Sequence, residues 1–389
     1  MIDFLSEELR LMKEHHLYRS LYLIDGPSEP KTIINGREML LFSSNNYLGL
    51  ASHPRVKAAA IAAVKRWGTG SGGSRLTTGN FNLHRQLEKR IARFKGTEDA
   101  IIFNTGYMAN LGVISALAGR EDLVISDQLN HASIVDGCRL SRATVRIYRH
   151  NDMLDLARIL SDRTSFRRCL IVTDGVFSMD GDIAPLPQLF ELAQEHQAML
   201  MVDDAHATGV LGDRGAGTVE HFGLEKRGII QMGTLSKALG SEGGYVAGTS
   251  NLIDFLRNRA RSFIYSTALS PPVIASAMAA LEVLENEPHL KEQLKANVRL
   301  FYQGLKDLGF EVLPTQSAII PLMVGDSCKA LALSAALAEM GVFVPAIRPP
   351  TVPEGTSRLR ITLMATHTRD HIQFALDAFQ KAGKKLGLL

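Results

Sequence analysis

The stretch LPQLFELAQEHQAMLMVDDAHATG, residues 186–209, changes period in its middle. Its first half spaces apolar residues as a helix does, whereas AMLMV (198–202) is a continuous apolar run that stops at Asp203 and Asp204. A helix feeding a short, wholly apolar strand is the repeating unit of a sheet covered on both faces. The same kind of run recurs as DAIIF (99–103), DLVIS (122–126), TVRIY (144–148), CLIVTD (169–174), GIIQMG (228–233) and GYVAG (244–248). With AMLMVDD (198–204) they predict a mainly parallel, seven-stranded α/β sheet. Helical patterns such as PRVKAAAIAAVKRW, opened by Pro54, and LHRQLEKRIARFK supply the covering layers.

Beyond SPP (270–272) the pattern is helical to about residue 308. EVLP, AIIPLMV, GVFVPAI and RLRITLM then alternate with helices at about 328–340 and 369–386, which predicts a smaller carboxy-terminal α/β domain. The expected division is an amino-terminal segment 1–45, a large domain 46–288 and a small domain 289–389.

A chain of 389 residues with 46% hydrophobic and 21% charged residues has ample material for a core and no disordered composition. Its formal charge of +3 provides no overall field for nucleic acid or an anionic membrane, so neither partner is expected. Cys138, Cys169 and Cys328 are isolated and odd in number, which excludes a disulfide framework and a paired-cysteine zinc site and points to a reducing, cytoplasmic setting. The first residues, MIDFLSEELRLMKEHHLYRSL, lack the sections of a signal peptide, and no run of about 18 apolar residues occurs. A soluble protein is expected.

In sheets of this class ligands bind beyond the carboxyl ends of the strands. GTGSGG (68–73) spells G-x-G-x-x-G, but a helical pattern precedes it and polar SRLTTGN follows, so a loop with close backbone approach is the better reading than a dinucleotide site. After DAIIF, Thr105, Gly106 and Tyr107 stand where a strand turns into a helix. The unpaired first amides there suit a phosphate, although many such loops only cap a helix. Asp203, Asp204 and His206 lie at the mouth of a central strand; a metal lacks further ligands nearby, capping would explain one aspartate, and a buried carboxylate could hold a protonated ring nitrogen. Lys237, in GTLSKALGSEGG (233–244), sits among small residues after the next run. A phosphate cradle, a carboxylate and such a lysine are together the anchors of pyridoxal phosphate, for desolvation can lower the amine from its free value of about 10.4 so that it serves as nucleophile and base.

These motifs, with FSSNNYLGLASHP, NTGYMAN, LNHASIVDG, TDGVFSMDGDIAPL and FIYSTALSP, resemble the pyridoxal-phosphate-dependent α-oxoamine synthases. The resemblance spans nearly the whole chain. It implies fold type I of the pyridoxal-phosphate enzymes, the aspartate-aminotransferase-like fold, and an acyltransferase that joins an amino acid to an acyl thioester with loss of carbon dioxide. SAIIPLMVGD and AIRPPTVPEGTSRLRITLMATHT resemble the biotin-pathway branch, implying L-alanine and pimeloyl-CoA or a pimeloyl carrier protein as substrates. Carried over by position, the resemblance makes Lys237 the covalent anchor and Asp203 the partner of the pyridine nitrogen. His131 stacks on the ring, and Ser178 and His206 attend its phenolic oxygen. Gly106, Tyr107 and Thr234 hold the phosphate, and Ser266 and Thr267 reach the phosphate of a partner subunit in a homodimer. Arg360 takes the substrate carboxylate with Asn45 nearby, and Arg19 and Thr351 lie at the acyl substrate. Two alternatives are a relative that joins glycine to acetyl-CoA and a non-catalytic pyridoxal-phosphate-binding protein. RPPTVP and GSRLTTG speak against the first, and the short amino terminus, without a DNA-binding segment, against a regulator.

Overall fold

The computed structural model of the protein describes residues 3–14, 17–19 and 21–389. After an amino-terminal helix, Asp3–Glu14, comes a hairpin, β1 (Lys31–Ile34) and β2 (Arg37–Leu41), turning through Asn35 and Gly36 at positive φ. An Asn-Gly pair is what a two-residue hairpin turn requires. The seven strands β3 (Asp99–Phe103), β4 (Leu123–Asp127), β5 (Thr144–Tyr148), β6 (Cys169–Asp174), β7 (Met199–Asp203), β8 (Ile230–Thr234) and β9 (Gly244–Gly248) form one sheet in the order β3-β9-β8-β7-β6-β4-β5. All pairings are parallel except those of β9, which runs against both β3 and β8.

Three runs start later than their apolar letters suggest, β7 by the single residue Ala198. Asp122 stays outside β4, gripped by Arg167, and Gly228 turns at a positive φ of 77° before β8. Alternate residues of the strands feed two separate cores. Val124, Val172 and Met201 pack on one face with Val113 and Ile114, while Leu123, Ile125 and Ile171 pack on the other with Leu189 and Phe190. Burial of both faces is why these strands are continuous apolar runs rather than alternating ones.

The carboxy-terminal region contains β10 (Ile319–Gly325), β11 (Val342–Phe343), β12 (Ala346–Ile347) and β13 (Ser357–Thr362), with helices Ser327–Glu339 and Arg369–Leu386. EVLP contributes one bridge, Val312 to Leu322, rather than a strand. GVFVPAI splits at Pro345, which has no N–H to donate. Its first half, β11, pairs with β2, and its second, β12, joins the antiparallel sheet β10-β13-β12. The hairpin near the amino terminus therefore shares a sheet with a strand from the far end of the chain. One core cluster runs from Leu40, Phe42 and Tyr47 through the helix Pro271–Asn286 to Ile361 and Phe379.

The loop GTGSGG follows the helix Pro54–Trp67 and closes on itself: a Cβ on Gly79 would stand 2.0 Å from the Gly73 carbonyl oxygen. The close approach is thus Gly79's, to the last glycine of the loop; Cβ atoms on Gly68, Gly70 and Gly72 would meet nothing within 4 Å.

Candidate active site

The carboxyl ends of β6, β7 and β8 deliver Asp174, Asp203 and Thr234 to one cavity of about 200 Å³. Gly106, Tyr107, Asn110, His131, Ser133, Ser178, Ala205, His206, Met232 and Lys237 complete its wall. Pairing of β6 with β7 sets Asp174 opposite Asp203. Burial, and the neighbouring Asp203, raise the Asp174 carboxyl well above the usual carboxylate range. The backbone N–H of His131 donates to Asp174 at 2.9 Å.

Asp203 accepts from Asn110 Nδ2 at 2.7 Å and from the Ala205 N–H at 2.9 Å. Asn110 also donates to the Ser133 hydroxyl at 2.8 Å, while its own Oδ1 is buried without a partner. Asp204, the next residue, points the opposite way, as strand geometry requires. It meets Lys95 at 2.7 Å, and both side chains have no exposure. Lys95 also donates to the Ala216 carbonyl, so this pair closes the 204–217 loop that presents His206. Asp203 faces the cavity, whereas Asp204, besides its buried lysine, accepts from the Thr218 backbone N–H at 3.2 Å and from the Thr218 hydroxyl, capping the start of the short helix Thr218–His221.

Lys237 projects from the turn that follows β8, its amine 2.9 Å from His206 Nε2. Burial lowers the amine from 10.5 to about 8; Asp203 and Asp174 pull it up, and Arg360 pushes it down. Burial, then the charges of Lys237 and Arg360, hold His206 well below the ordinary imidazole range. His206 Nδ1 lies 2.6 Å from the Tyr47 hydroxyl, which is 3.1 Å from Asn45 Oδ1. Arg360 Nη2 donates to the same Asn45 oxygen at 3.2 Å, and its Nε donates to the Ser178 carbonyl. The small residues around Lys237 serve packing. Ala238 and Leu239 are buried, and a Cβ on Gly240 (φ 58°) would meet the Ala51 backbone nitrogen at 2.2 Å.

Thr105 caps the helix Gly106–Leu117 by accepting from the Met108 N–H, leaving the first helical amides at Gly106 and Tyr107 free to face a ligand. The Tyr107 hydroxyl itself is turned to Asp136. Thr234 donates to the Gly243 carbonyl at 2.7 Å and accepts from the Ser236 N–H, so its hydroxyl would have to rotate to serve another group. His131 caps the helix Ala132–Ser141 with its ring exposed at the cavity rim. The loop of Ser178 is tied down by His150, whose two ring nitrogens meet Asp127 at 2.9 Å and Asp182 at 2.8 Å.

The other candidates stand apart from this cavity. Ser266 is half-buried and Thr267 exposed, in a bridge with Ser74, and the Thr267 carbonyl accepts from Asn104. Arg19 and Thr351 are both exposed. Their segments approach each other where Arg348 donates to the Tyr18 carbonyl at 3.4 Å. Among the described residues no cluster of side chains could hold a metal ion, and no helix is long and apolar enough to cross a membrane.

Among the residues that escaped the sequence reading are Asn110 and Asp174 in the cavity wall and Tyr47, which contacts His206 from outside it. Asn110 lies one turn into the helix that Gly106 opens, and Asp174 ends its strand as Asp203 does, so both had a positional signal. Tyr47 had none beyond its place two residues after Asn45.

The pattern of aminotransferases of class I and II covers residues 37–379. The chain belongs to the class I and II aminotransferase family. Within this family it is 50% identical to the 8-amino-7-oxononanoate synthase of Lysinibacillus sphaericus, over 100% of both chains, and 51% identical to that of Geobacter sulfurreducens, again over 100% of both. A serine palmitoyltransferase from S. paucimobilis, solved with a bound PLP-myriocin adduct, superposes with a TM-score of 0.94 at 37% identity, covering 100% of this chain and 98% of that one. The 8-amino-7-oxononanoate synthase of Francisella tularensis gives 0.77 at 31%, covering 89% and 98%. An aminotransferase-family enzyme thus combines a mainly parallel seven-stranded sheet with smaller sheets.

Proposed function

We propose that this chain is an 8-amino-7-oxononanoate synthase, a pyridoxal-phosphate-dependent acyltransferase of biotin biosynthesis. It joins L-alanine to a pimeloyl thioester, releasing carbon dioxide and the free thiol. The observation that carries the reading is identity of about half over the entire length with synthases of that name, against 37% with the serine palmitoyltransferase. The donor set supports the cofactor. A lysine amine near neutrality, a buried carboxylate opposite it and the open amides of a helix line one cavity.

In this reading the Gly106 and Tyr107 amides, with Thr234, hold the phosphate. Asp203 pairs with the ring nitrogen, and Asn110 and the Ala205 N–H keep that carboxylate aimed. The open ring of His131 covers one face, while Ser178 and His206 stand on the phenolic side. When bound, pyridoxal phosphate supplies an electron sink for negative charge at the amino acid's α-carbon. Lys237 is the residue that anchors it and takes the α-proton of alanine, a task suited to an amine lowered to about 8 and so substantially neutral near that pH. Arg360, fixed by the Ser178 carbonyl and Asn45, receives the alanine carboxylate. Arg19 and Thr351 lie on the acyl side. Ser266 and Thr267, outside the cavity of their own chain, contribute to the site of a second copy in a homodimer.

A thiol-release assay tests the assignment. Pimeloyl-CoA with L-alanine is expected to turn over, and substitution of Lys237→Ala should remove at least about 10²–10⁴-fold of the rate. The TM-score of 0.94 favours serine and palmitoyl-CoA as the second reading, so that pair and glycine with acetyl-CoA belong in the same assay. Turnover of either in preference to alanine and pimeloyl-CoA would overturn the proposal.

A further inference from the structure

Lys237, His206, Tyr47, Asn45 and Arg360 form one unbroken chain of side-chain contacts, at 2.9, 2.6, 3.1 and 3.2 Å in that order. It links the reactive amine to the guanidinium proposed for the substrate carboxylate, and it crosses from the large sheet to β13. Tyr47 has no exposure, and His206 and Arg360 are buried, so water does not compete for the Tyr47–His206 contact, while Lys237 and Asn45 at the two flanks are half-buried. The chain has a property that single hydrogen bonds lack: its donors must all be consistent with one another.

A neutral imidazole carries one proton, on one nitrogen or the other. His206 is held neutral throughout, because burial, Lys237, Arg360 and His131 all oppose its charging. When Lys237 is an ammonium it can only donate, so His206 Nε2 accepts and the ring proton lies on Nδ1. Nδ1 then donates to the Tyr47 oxygen, and the Tyr47 hydroxyl must donate to Asn45 Oδ1, which it shares with Arg360. When Lys237 loses its proton to solvent, the amine gains a lone pair that can accept from Nε2–H, which an ammonium cannot do. Nδ1 becomes the acceptor, the Tyr47 hydroxyl swings to it, and Asn45 Oδ1 is left to Arg360 alone. The ring keeps one proton that changes nitrogen, and the hydroxyl keeps one that changes direction.

We propose that the Tyr47 hydroxyl is a two-position switch that couples the protonation of Lys237 to the hold of Asn45 on Arg360. Its benefit for catalysis rests on the function proposed above: the carboxylate-binding arginine is fixed most firmly when the amine is ready to accept a proton. Tyr47 is a positioning residue, since it acts through His206 and Asn45. The groups facing the Lys237 amine are Asp203 from β7, Asp174 from β6, Arg360 from β13, His206 from the loop after β7 and His131 at the start of the helix Ala132–Ser141. Of these His206 alone offers a hydrogen-bond partner at 2.9 Å, so the ring reports the state of the amine.

The test reads the ring directly. The full chain, prepared without cofactor and labelled with ¹⁵N-histidine, is titrated from about pH 6 to about pH 10 while the His206 nitrogens are followed, their signals identified by loss in His206→Asn. The expected result is the Nδ1–H tautomer at the acid end and Nε2–H at the alkaline end, with a midpoint near the amine's value of about 8. Lys237→Met should abolish the change. Tyr47→Phe should move its midpoint to lower pH, because an Nδ1–H without an acceptor penalises the ammonium state. One tautomer across the range in the wild type, or a change that survives Lys237→Met, overturns the switch. Should Tyr47→Phe not fold, the wild-type titration decides alone. The measurement needs neither cofactor nor turnover, so a wrong substrate assignment and a wrong switch give different failures.

Discussion

Lys237 shows how much of a site one residue can carry and what it costs the fold. Its pKa in the folded protein, about 8, lies below the 10.5 of an unperturbed lysine, so the unfolded chain binds more protons between those values. Stability from this group therefore rises with pH from about 8 to about 10.5, and below 8 the buried ammonium is a full penalty of up to about 3 kcal/mol. Lys237→Met should accordingly raise the denaturant midpoint of the cofactor-free protein at pH 7 and lose that advantage by about pH 10.5. An equal gain at both ends would show that the amine is not strained by burial. The lysine was legible because an isolated cation among small residues after a strand is unusual. The meaning of the small residues was not. Gly240 and Ala238 make room for Ala51 and Gly209, contacts between segments far apart in the chain that the letters around Lys237 do not announce.

At the level of elements, the paired aspartates at the end of β7 divide their work by strand geometry. Asp203 turns to the cavity, and Asp204 is locked to Lys95 on the opposite side. The lysine keeps its proton: burial opposes the charge, but Asp204 and its neighbours outweigh it and raise the pKa. Removing one partner leaves an uncompensated buried charge, so Asp204→Asn should cost about 3–5 kcal/mol in urea unfolding, and Lys95→Met on that background should recover a good part of it. A loss in the double variant equal to the sum of the two singles would argue that the pair does not close the 204–217 loop. The strand runs were readable because burial on both faces leaves no polar interruption. The reversal of β9 was not, since its letters are as apolar as those of its parallel neighbours. The split of GVFVPAI had a signal in Pro345, but which sheet each half would join depended on a hairpin some 300 residues earlier.

On the scale of the whole molecule, the candidate residues fall into two sets. Lys237, Asp203, His131, His206, Ser178, Gly106, Tyr107 and Thr234 line one cavity, with Arg360 and Asn45 bonded to its edge. Ser266, Thr267, Arg19 and Thr351 do not line it. If Ser266 and Thr267 serve a second copy, as proposed, each site is a composite, and two differently damaged chains can repair one another. The Lys237→Ala chain lacks the amine, and the Ser266→Ala/Thr267→Ala chain lacks the phosphate contacts. In a mixed dimer one site receives both defects and the other receives neither. Random reassociation makes half of the dimers mixed, so about a quarter of wild-type activity should return from two chains that, at limiting cofactor, are each nearly inactive. Activity no greater than the sum of the separate variants would place Ser266 and Thr267 in their own chain's support structure. The exposed, apolar character of Leu21 and Leu23, 95% and 74% accessible, fits a second chain covering this end of the molecule. Sedimentation of Leu21→Asp/Leu23→Asp should then shift toward the monomer, while an unchanged dimer would move the contact elsewhere on the surface.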